Sequence, residues 1–145
     1  MEYNTVVCPV DGTELSDKSL KHAAYLSKVS GAKIILLHVT EKWHRAGHLV
    51  TNSPEWDTIH KEWLNEGRAV LESGADKLRA LGAAHVDTML REGDASHEIV
   101  ALAEEKRADL IIMSTHRYSP IGKLFAGSIT DNVTRKAPCP VLWVF

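Results

Sequence analysis

The sequence lacks the features that mark membrane, secreted or nucleic-acid-binding proteins. None of its apolar runs approaches the roughly 18 residues that a bilayer-spanning helix needs. Its 17 Lys and Arg residues are scattered among 19 Asp and Glu residues, and the formal net charge is -2, so no basic patch favours nucleic acid or an anionic membrane. The first residues also lack the basic start and small-residue cleavage site of a signal peptide. We therefore expect a cytoplasmic protein that binds neither nucleic acid nor membrane.

Cysteine is scarce as well. The chain has two cysteines, Cys8 and Cys139, and each precedes a proline beside an apolar run. A free cysteine behaves as a small hydrophobic residue, and disulfides are rare in the cytoplasm. We interpret both residues as buried thiols rather than as a disulfide or a redox pair.

Short apolar runs alternate with helical stretches along the chain. The runs predict five strands, at about residues 5–10, 34–39, 86–90, 110–113 and 140–145. Apolar positions at helical spacing, bounded by cap residues and glycines, predict four helices between them. The pattern indicates a single α/β domain over residues 1–145, built on a doubly wound parallel sheet with helices on both faces.

Sheets of this kind bind ligands beyond the carboxyl ends of their strands, where the strand order reverses. Asp11 at the tip of the first strand is a candidate acceptor for ribose hydroxyls, and the main chain of Val39 is a candidate for an adenine edge. Gly127 and Ser128 begin the last helix, whose free amides and dipole form an anion site, although Gly-Ser is also an ordinary helix cap. The candidate nucleotide contacts are Pro9, Val10, Asp11, Val39, Gly127, Ser128, Ile129 and Thr130.

Five short segments resemble the universal stress protein family. They are VDGT at 10–13, LHV at 37–39, GD at 93–94, ADLIIM at 108–113 and APCPVL at 137–142. The resemblance runs in the family's order over nearly the whole chain, apart from residues 40–53. As a fold assignment it is specific.

The resemblance implies a five-stranded sheet in the order 3-2-1-4-5. The corresponding architecture is a three-layer sandwich of the adenine nucleotide alpha hydrolase-like, or flavodoxin-like, type. It also implies a homodimer formed through the last strand. The apolar run from Val141 to Phe145 fits that expectation, because an exposed apolar edge invites pairing. The alternative is that Trp143 and Phe145 only pack on the helices.

Nucleotide-binding members of the family carry a Gly-x2-Gly-x9-Gly-Ser/Thr motif after the fourth strand. Here the final pair is kept as Gly127 and Ser128, but the first two glycine positions hold Ser114 and Arg117. Ser114 adds only a small side chain. Arg117 either fills the phosphate space or replaces main-chain contacts with a guanidinium, which is a good phosphate ligand. Both outcomes remain open at this point.

Other site chemistries lack support in the sequence. His44 and His48 have helical i,i+4 spacing, but Gly47 lies between them and no cysteine or carboxylate pair completes a metal site, so we predict a solvated loop. Asp11 resembles the acid of a phosphoacceptor receiver domain, yet no second acid stands beside it and no acceptor aspartate ends the third strand. The chain also has no Gly-x4-Gly-Lys-Ser/Thr loop and no Gly-x-Ser-x-Gly elbow.

The sequence thus leads to three hypotheses of function. The preferred one is a dimeric stress-response module that holds ATP or AMP as a regulatory ligand, with Mg²⁺ accompanying ATP. The second is an interaction protein whose cleft is blocked and which acts through surfaces such as the loop at 40–53. The third is a slow ATPase, for which no general base or nucleophile is evident in the phosphate loop.

Overall fold

The computed structural model describes residues 1–41, 53–115 and 127–145. The elements are, in chain order, β1 (Thr5–Pro9), α1 (Glu14–Ser30), β2 (Lys33–Thr40), α2 (Pro54–Ala80), β3 (His85–Glu92), α3 (Ala95–Glu105), β4 (Leu110–Ser114), α4 (Ser128–Lys136) and β5 (Val141–Val144). Their order and types confirm the alternation predicted from the sequence. Their bounds differ from the predicted ones by a few residues at most.

The five strands form one parallel sheet in the order β3-β2-β1-β4-β5. This order confirms the α/β fold that the family resemblance implies. After β1 the chain adds β2 and β3 on one side of the sheet, and then crosses to add β4 and β5 on the other. The order therefore reverses at β1, which places the ligand-binding edge at the carboxyl ends of the strands around it.

Two hydrophobic layers enclose the sheet, because successive residues of a strand face opposite sides. On β2, Ile34 and Leu36 join the cluster beneath α1 and α2, whereas Ile35 and Leu37 join the cluster beneath α3. All four side chains are at most 3% exposed. The central strands are thus apolar on both faces, as expected for a buried parallel sheet.

Local capping signals set where most of the helices begin. Thr13, Ser53 and Asp94 precede α1, α2 and α3, and each side chain accepts a hydrogen bond from an amide of the first turn. Gly31 ends α1 in the left-handed conformation (φ 75°), which glycine adopts without strain. Helix α4 differs, since Gly127 precedes it and no side chain of the described residues caps it. Its first amides are left for another partner.

The interpretation of the cysteines needs one correction. Cys8 is fully buried in β1, as predicted, but Cys139 is only half-buried because it lies in the connection that leads into β5. Both thiols are free, so the disulfide alternative is excluded.

Among the described residues, no helix is both long enough and apolar enough to span a membrane. His44 and His48, for which we predicted a solvated loop, lie outside the described residues.

Candidate functional site

A cleft of about 640 Å³ lies at the carboxyl ends of β1, β2 and β4, at the point where the strand order reverses. The structure brings all eight predicted contact residues into its lining: Pro9, Val10, Asp11, Val39, Gly127, Ser128, Ile129 and Thr130. Ser114, at the first substituted motif position, lines it as well. Arg117, at the second, belongs to residues 116–126 and lies outside the described residues.

Asp11 forms a small turn at the mouth of this cleft. Its Oδ1 accepts hydrogen bonds from the amide of Thr13 at 3.0 Å and from the Thr13 hydroxyl at 2.6 Å. The Asp11 amide donates to the hydroxyl of Ser16 at 3.3 Å. The carboxylate is exposed and, within the described part of the chain, no bond is made to its Oδ2. A rigid carboxylate with one unused oxygen is suited to accept bonds from vicinal hydroxyls.

The main chain of Val39 faces the same cleft. The next carbonyl along β2, that of Thr40, points toward β3 and accepts the Gly93 amide at 3.1 Å. In a strand, the amide and the carbonyl of one residue point to the same edge, and those of the next residue point to the opposite edge. The amide and carbonyl of Val39 therefore point toward β1. Strand β1 ends its pairing at Pro9↔Leu37, and Val39 therefore extends past the last paired residue with a donor and an acceptor turned to the cleft.

The N-terminus of α4 forms the opposite wall. The first intrahelical bond runs from the Asp131 amide to the Gly127 carbonyl at 2.9 Å, so the amides of Ser128, Ile129 and Thr130 precede the helical hydrogen-bond ladder. These three amides, together with the positive end of the helix dipole, are suited to an anion.

The amide of Gly127, directly before these three, has a partner of its own. The Gly127 amide donates to the hydroxyl of Thr115 at 3.2 Å and is already engaged. Its donor is therefore not free, and a Cβ built on Gly127 meets no atom of the described residues within 4 Å.

Ser114 ties β4 to α1. Its Oγ accepts the Ser19 amide at 3.2 Å, and the Ser19 hydroxyl in turn donates to the Ser16 carbonyl at 2.7 Å. The hydroxyl that replaces a motif glycine is therefore used within the protein, while its own proton stays available for donation.

Sequence reasoning missed several lining residues, among them Thr13, Ser16, Glu41, Glu66 and Thr115. Glu41 could have been found, because it directly follows the carboxyl end of β2. Its Oε1 accepts the Ala95 amide at the start of α3, 3.1 Å away. With Asp11 and Glu66 it gives the described lining three carboxylates.

The corner between β3 and α3 lies next to Glu41 and is held by charged groups. A hydrogen bond from the His97 amide lowers the pKa of the Asp94 carboxyl, and the Ser96 hydroxyl acts in the same direction. The bond to Glu105 raises the pKa of the Arg91 guanidinium above its ordinary value. Both groups stay charged near neutral pH and fix the position where α3 begins.

His38 and His60 are held by different partners. His38 Nδ1 lies 2.8 Å from the Val10 carbonyl oxygen, whereas His60 stacks on Trp56 and contacts the Glu92 carboxylate. No group of three or more potential metal ligands occurs among residues 1–41, 53–115 and 127–145.

Comparisons with known proteins agree with this architecture. The model of the universal stress protein family matches residues 2–144. The universal stress protein YxiE of Bacillus subtilis is 30% identical, with 98% of this chain and 99% of the relative covered. The universal stress protein MJ0531 of Methanocaldococcus jannaschii is 31% identical, with 98% of this chain and 82% of the relative covered.

Solved structures of related proteins share the fold. Protein MJ0577 of Methanocaldococcus jannaschii superposes with a TM-score of 0.83 and 26% identity, covering 99% of this chain and 96% of its own. A universal stress protein in complex with cAMP superposes with a TM-score of 0.74 and 26% identity, covering 99% of this chain and 98% of its own.

Proposed function

This chain belongs to the universal stress protein family, and we propose that it binds an adenine nucleotide in the cleft at the reversal point, as a regulatory ligand that is not efficiently turned over. The proposal rests on one observation, which is that three groups of suitable chemistry lie in the same cleft. The Val39 main chain, the Asp11 carboxylate and the first three amides of α4 line one cleft. These groups correspond in chemistry to the base, the ribose and a phosphate.

Each contact has a physical reason. The amide and the carbonyl of Val39 point the same way, and they complement the ring nitrogen and the amino group on the pairing edge of adenine. The unused oxygen of Asp11 accepts from the ribose hydroxyls. The amides of Ser128, Ile129 and Thr130, with the Ser128 hydroxyl, donate to a phosphate at the positive end of the α4 dipole.

AMP is the simplest ligand for this donor set. The α4 terminus offers three main-chain amides before its first intrahelical bond, which suits one phosphate group. ATP remains within the proposal, and Mg²⁺ would then accompany the triphosphate, held chiefly by phosphate oxygens and water. The crystallised complex with cAMP supports an adenosine monophosphate as the ligand class, since that relative shares the fold over nearly its whole length.

Calorimetric titration of the nucleotide-free protein with AMP, cAMP and ATP, each with and without Mg²⁺, tests the proposal. We expect saturable binding with one site per chain. Asp11→Asn keeps an oxygen for the turn with Thr13 but removes the charge, so AMP should bind about tenfold more weakly. Asp87→Asn, which makes the same change on β3 away from the cleft, is the control and should bind as wild type does.

A null titration would have a definite meaning. Heat at the level of dilution for all three nucleotides up to millimolar concentration would overturn the nucleotide proposal. The interaction-protein hypothesis would then be preferred. Equal loss of affinity in the Asp11 and Asp87 variants would remove Asp11 from the site.

We also propose that two copies pair through β5. This strand lies at the edge of the sheet, and its residues carry no charge. Leu142 of this strand and Phe145, which follows it, are 37% and 41% exposed. An apolar edge of this kind favours pairing with a second chain.

A further inference from the structure

The pairing of β1 with β2 stops at the cleft in an unusual way. The last register pair is Pro9↔Leu37, and beyond it the Val10 amide still donates to the Leu37 carbonyl at 2.8 Å. In a parallel ladder the next bond would run from the Val39 amide to the Val10 carbonyl. All three residues are described, and no such main-chain bond joins them.

The Val10 carbonyl has a different donor. His38 Nδ1 lies 2.8 Å from its oxygen. Since a carbonyl oxygen only accepts, Nδ1 carries the proton and donates. The imidazole of His38 therefore supplies the hydrogen bond that the ladder would otherwise take from the neighbouring Val39 amide.

We propose that His38 is a positioning residue: by satisfying the Val10 carbonyl, it keeps the Val39 main-chain amide available to a ring nitrogen of the ligand. Without the imidazole, the Val39 amide would pair with Val10 and the ladder would extend by one step into the cleft. The identity of the ligand rests on the proposed function. The state of the Val39 amide does not.

Helix α2 holds the imidazole from its other side. A Cβ placed on Gly67 would lie 3.0 Å from His38 Cδ2, so the ring lies directly against the bare backbone of the helix. His38 is half-buried between this contact and the Val10 carbonyl. The ring thus has both a hydrogen-bond partner and a packed face that fix its orientation.

Amide hydrogen exchange of the ligand-free protein tests the proposal without any nucleotide. His38→Asn keeps an N–H donor at the position of Nδ1, whereas His38→Leu removes the donor at similar side-chain size. We expect the Val39 amide to exchange rapidly in wild type and in His38→Asn, and at least about tenfold more slowly in His38→Leu. Equal exchange in all three proteins would overturn the proposal.

Binding gives the second readout. In 1-deaza-AMP a C–H group replaces the ring nitrogen that the Val39 amide would meet. Wild type and His38→Asn should bind AMP about tenfold more tightly than 1-deaza-AMP, and this preference should vanish in His38→Leu. A His38→Leu protein that weakens both ligands by the same factor would reduce His38 to a general structural role.

The exchange and binding experiments distinguish the nucleotide proposal from the proposed role of His38. If wild type binds neither ligand, the nucleotide proposal fails, and amide exchange alone still decides whether His38 keeps Val39 unpaired. If wild type binds AMP but the Val39 amide exchanges at the same rate in all variants, the nucleotide proposal stands and the proposed role of His38 fails.

Discussion

Cys8 and Cys139 each precede a proline, but their surroundings differ. Cys8 lies in β1 with no exposed surface, and burial raises the pKa of its thiol to about 11. Burial also raises the pKa of the Cys139 thiol, and the charge of Asp109 acts in the same direction. Cys139 nevertheless keeps part of its surface in contact with solvent.

These differences predict selective labelling. The thiolate is the reactive form, and a pKa of about 11 leaves only on the order of 0.1% thiolate at pH 8, in a position that reagents cannot reach. At pH 8 iodoacetamide should therefore modify only Cys139, and slowly, in the native protein. In denaturant it should modify both cysteines. Mass spectrometry should detect no labelling of native Cys139→Ser. Native Cys8→Ser should be labelled at the wild-type rate. Rapid native labelling in Cys139→Ser would contradict the buried position of Cys8.

At the scale of single residues, the sequence located the groups but not their partners. Asp11, Val39 and Ser128 were predicted for the cleft because each stands at a strand end or helix start. The bond from Gly127 to Thr115 and the bond from His38 to Val10 were not predicted. Both depend on how distant elements come together, and no local pattern carries that information.

Among the elements, α2 shows how a residue that weakens a helix can be required by packing. Gly67 lies near the middle of its 27 residues and faces the sheet, although glycine inside a helix costs about 1 kcal/mol relative to alanine. A Cβ at this position would lie 2.6 Å from Leu90 Cδ1 and 3.0 Å from His38 Cδ2. The helix can lie this close to the sheet only because the side chain is absent.

We therefore expect Gly67→Ala to destabilise the protein. Overpacking of about 1–3 kcal/mol should outweigh the gain of about 1 kcal/mol in helix propensity. Ser73→Ala, on the exposed face of the same helix, isolates the propensity effect and should be neutral or slightly stabilising. Urea unfolding of the three proteins measures both effects. If Gly67→Ala is as stable as Ser73→Ala, the side chains of the sheet accommodate the added methyl group without loss of stability, which would contradict the prediction.

The elements themselves were predicted well because their ends carry local signals. Ser53 and Pro54 mark the start of α2, and Gly31 marks the end of α1. The exposure of Cys139 was predicted less well, since it depends on how the connection between α4 and β5 packs against the core. Residues 42–52 and 116–126 lie outside the described part of the chain.

For the whole molecule, the two edges of the sheet differ in character. On β3, Asp87 pairs with Lys33, and Arg91 contacts Glu98 and Glu105. Strand β5 carries only apolar side chains. Charged edges resist pairing with another chain and apolar edges favour it, so β5 is the edge at which we place the second copy.

This assignment predicts that Leu142→Lys shifts the protein from dimer to monomer. The new charges of two copies would lie close together across a twofold axis and repel. Tyr25→Lys, at a residue of α1 that is 65% exposed, introduces the same charge elsewhere and should leave the dimer intact. Light scattering coupled to size-exclusion chromatography measures the mass. A monomeric wild type, or a dimer that survives Leu142→Lys, would contradict the assignment.

The fold of the whole molecule followed from the sequence because motifs in the family's order span nearly its full length. The ligand did not follow in the same way. Serine and arginine at two motif positions left nucleotide binding undecided, and only the placement of the strand ends against α4 gave it a physical basis.

The most direct measurement is an NMR titration of isotope-labelled protein with AMP, followed at the main-chain amides. We predict saturable shifts concentrated at Val39 and at Ser128, Ile129 and Thr130, with smaller changes at Asp11 and little change on β3 or β5. Shifts that do not saturate by millimolar AMP, or that concentrate away from the cleft, would contradict the account.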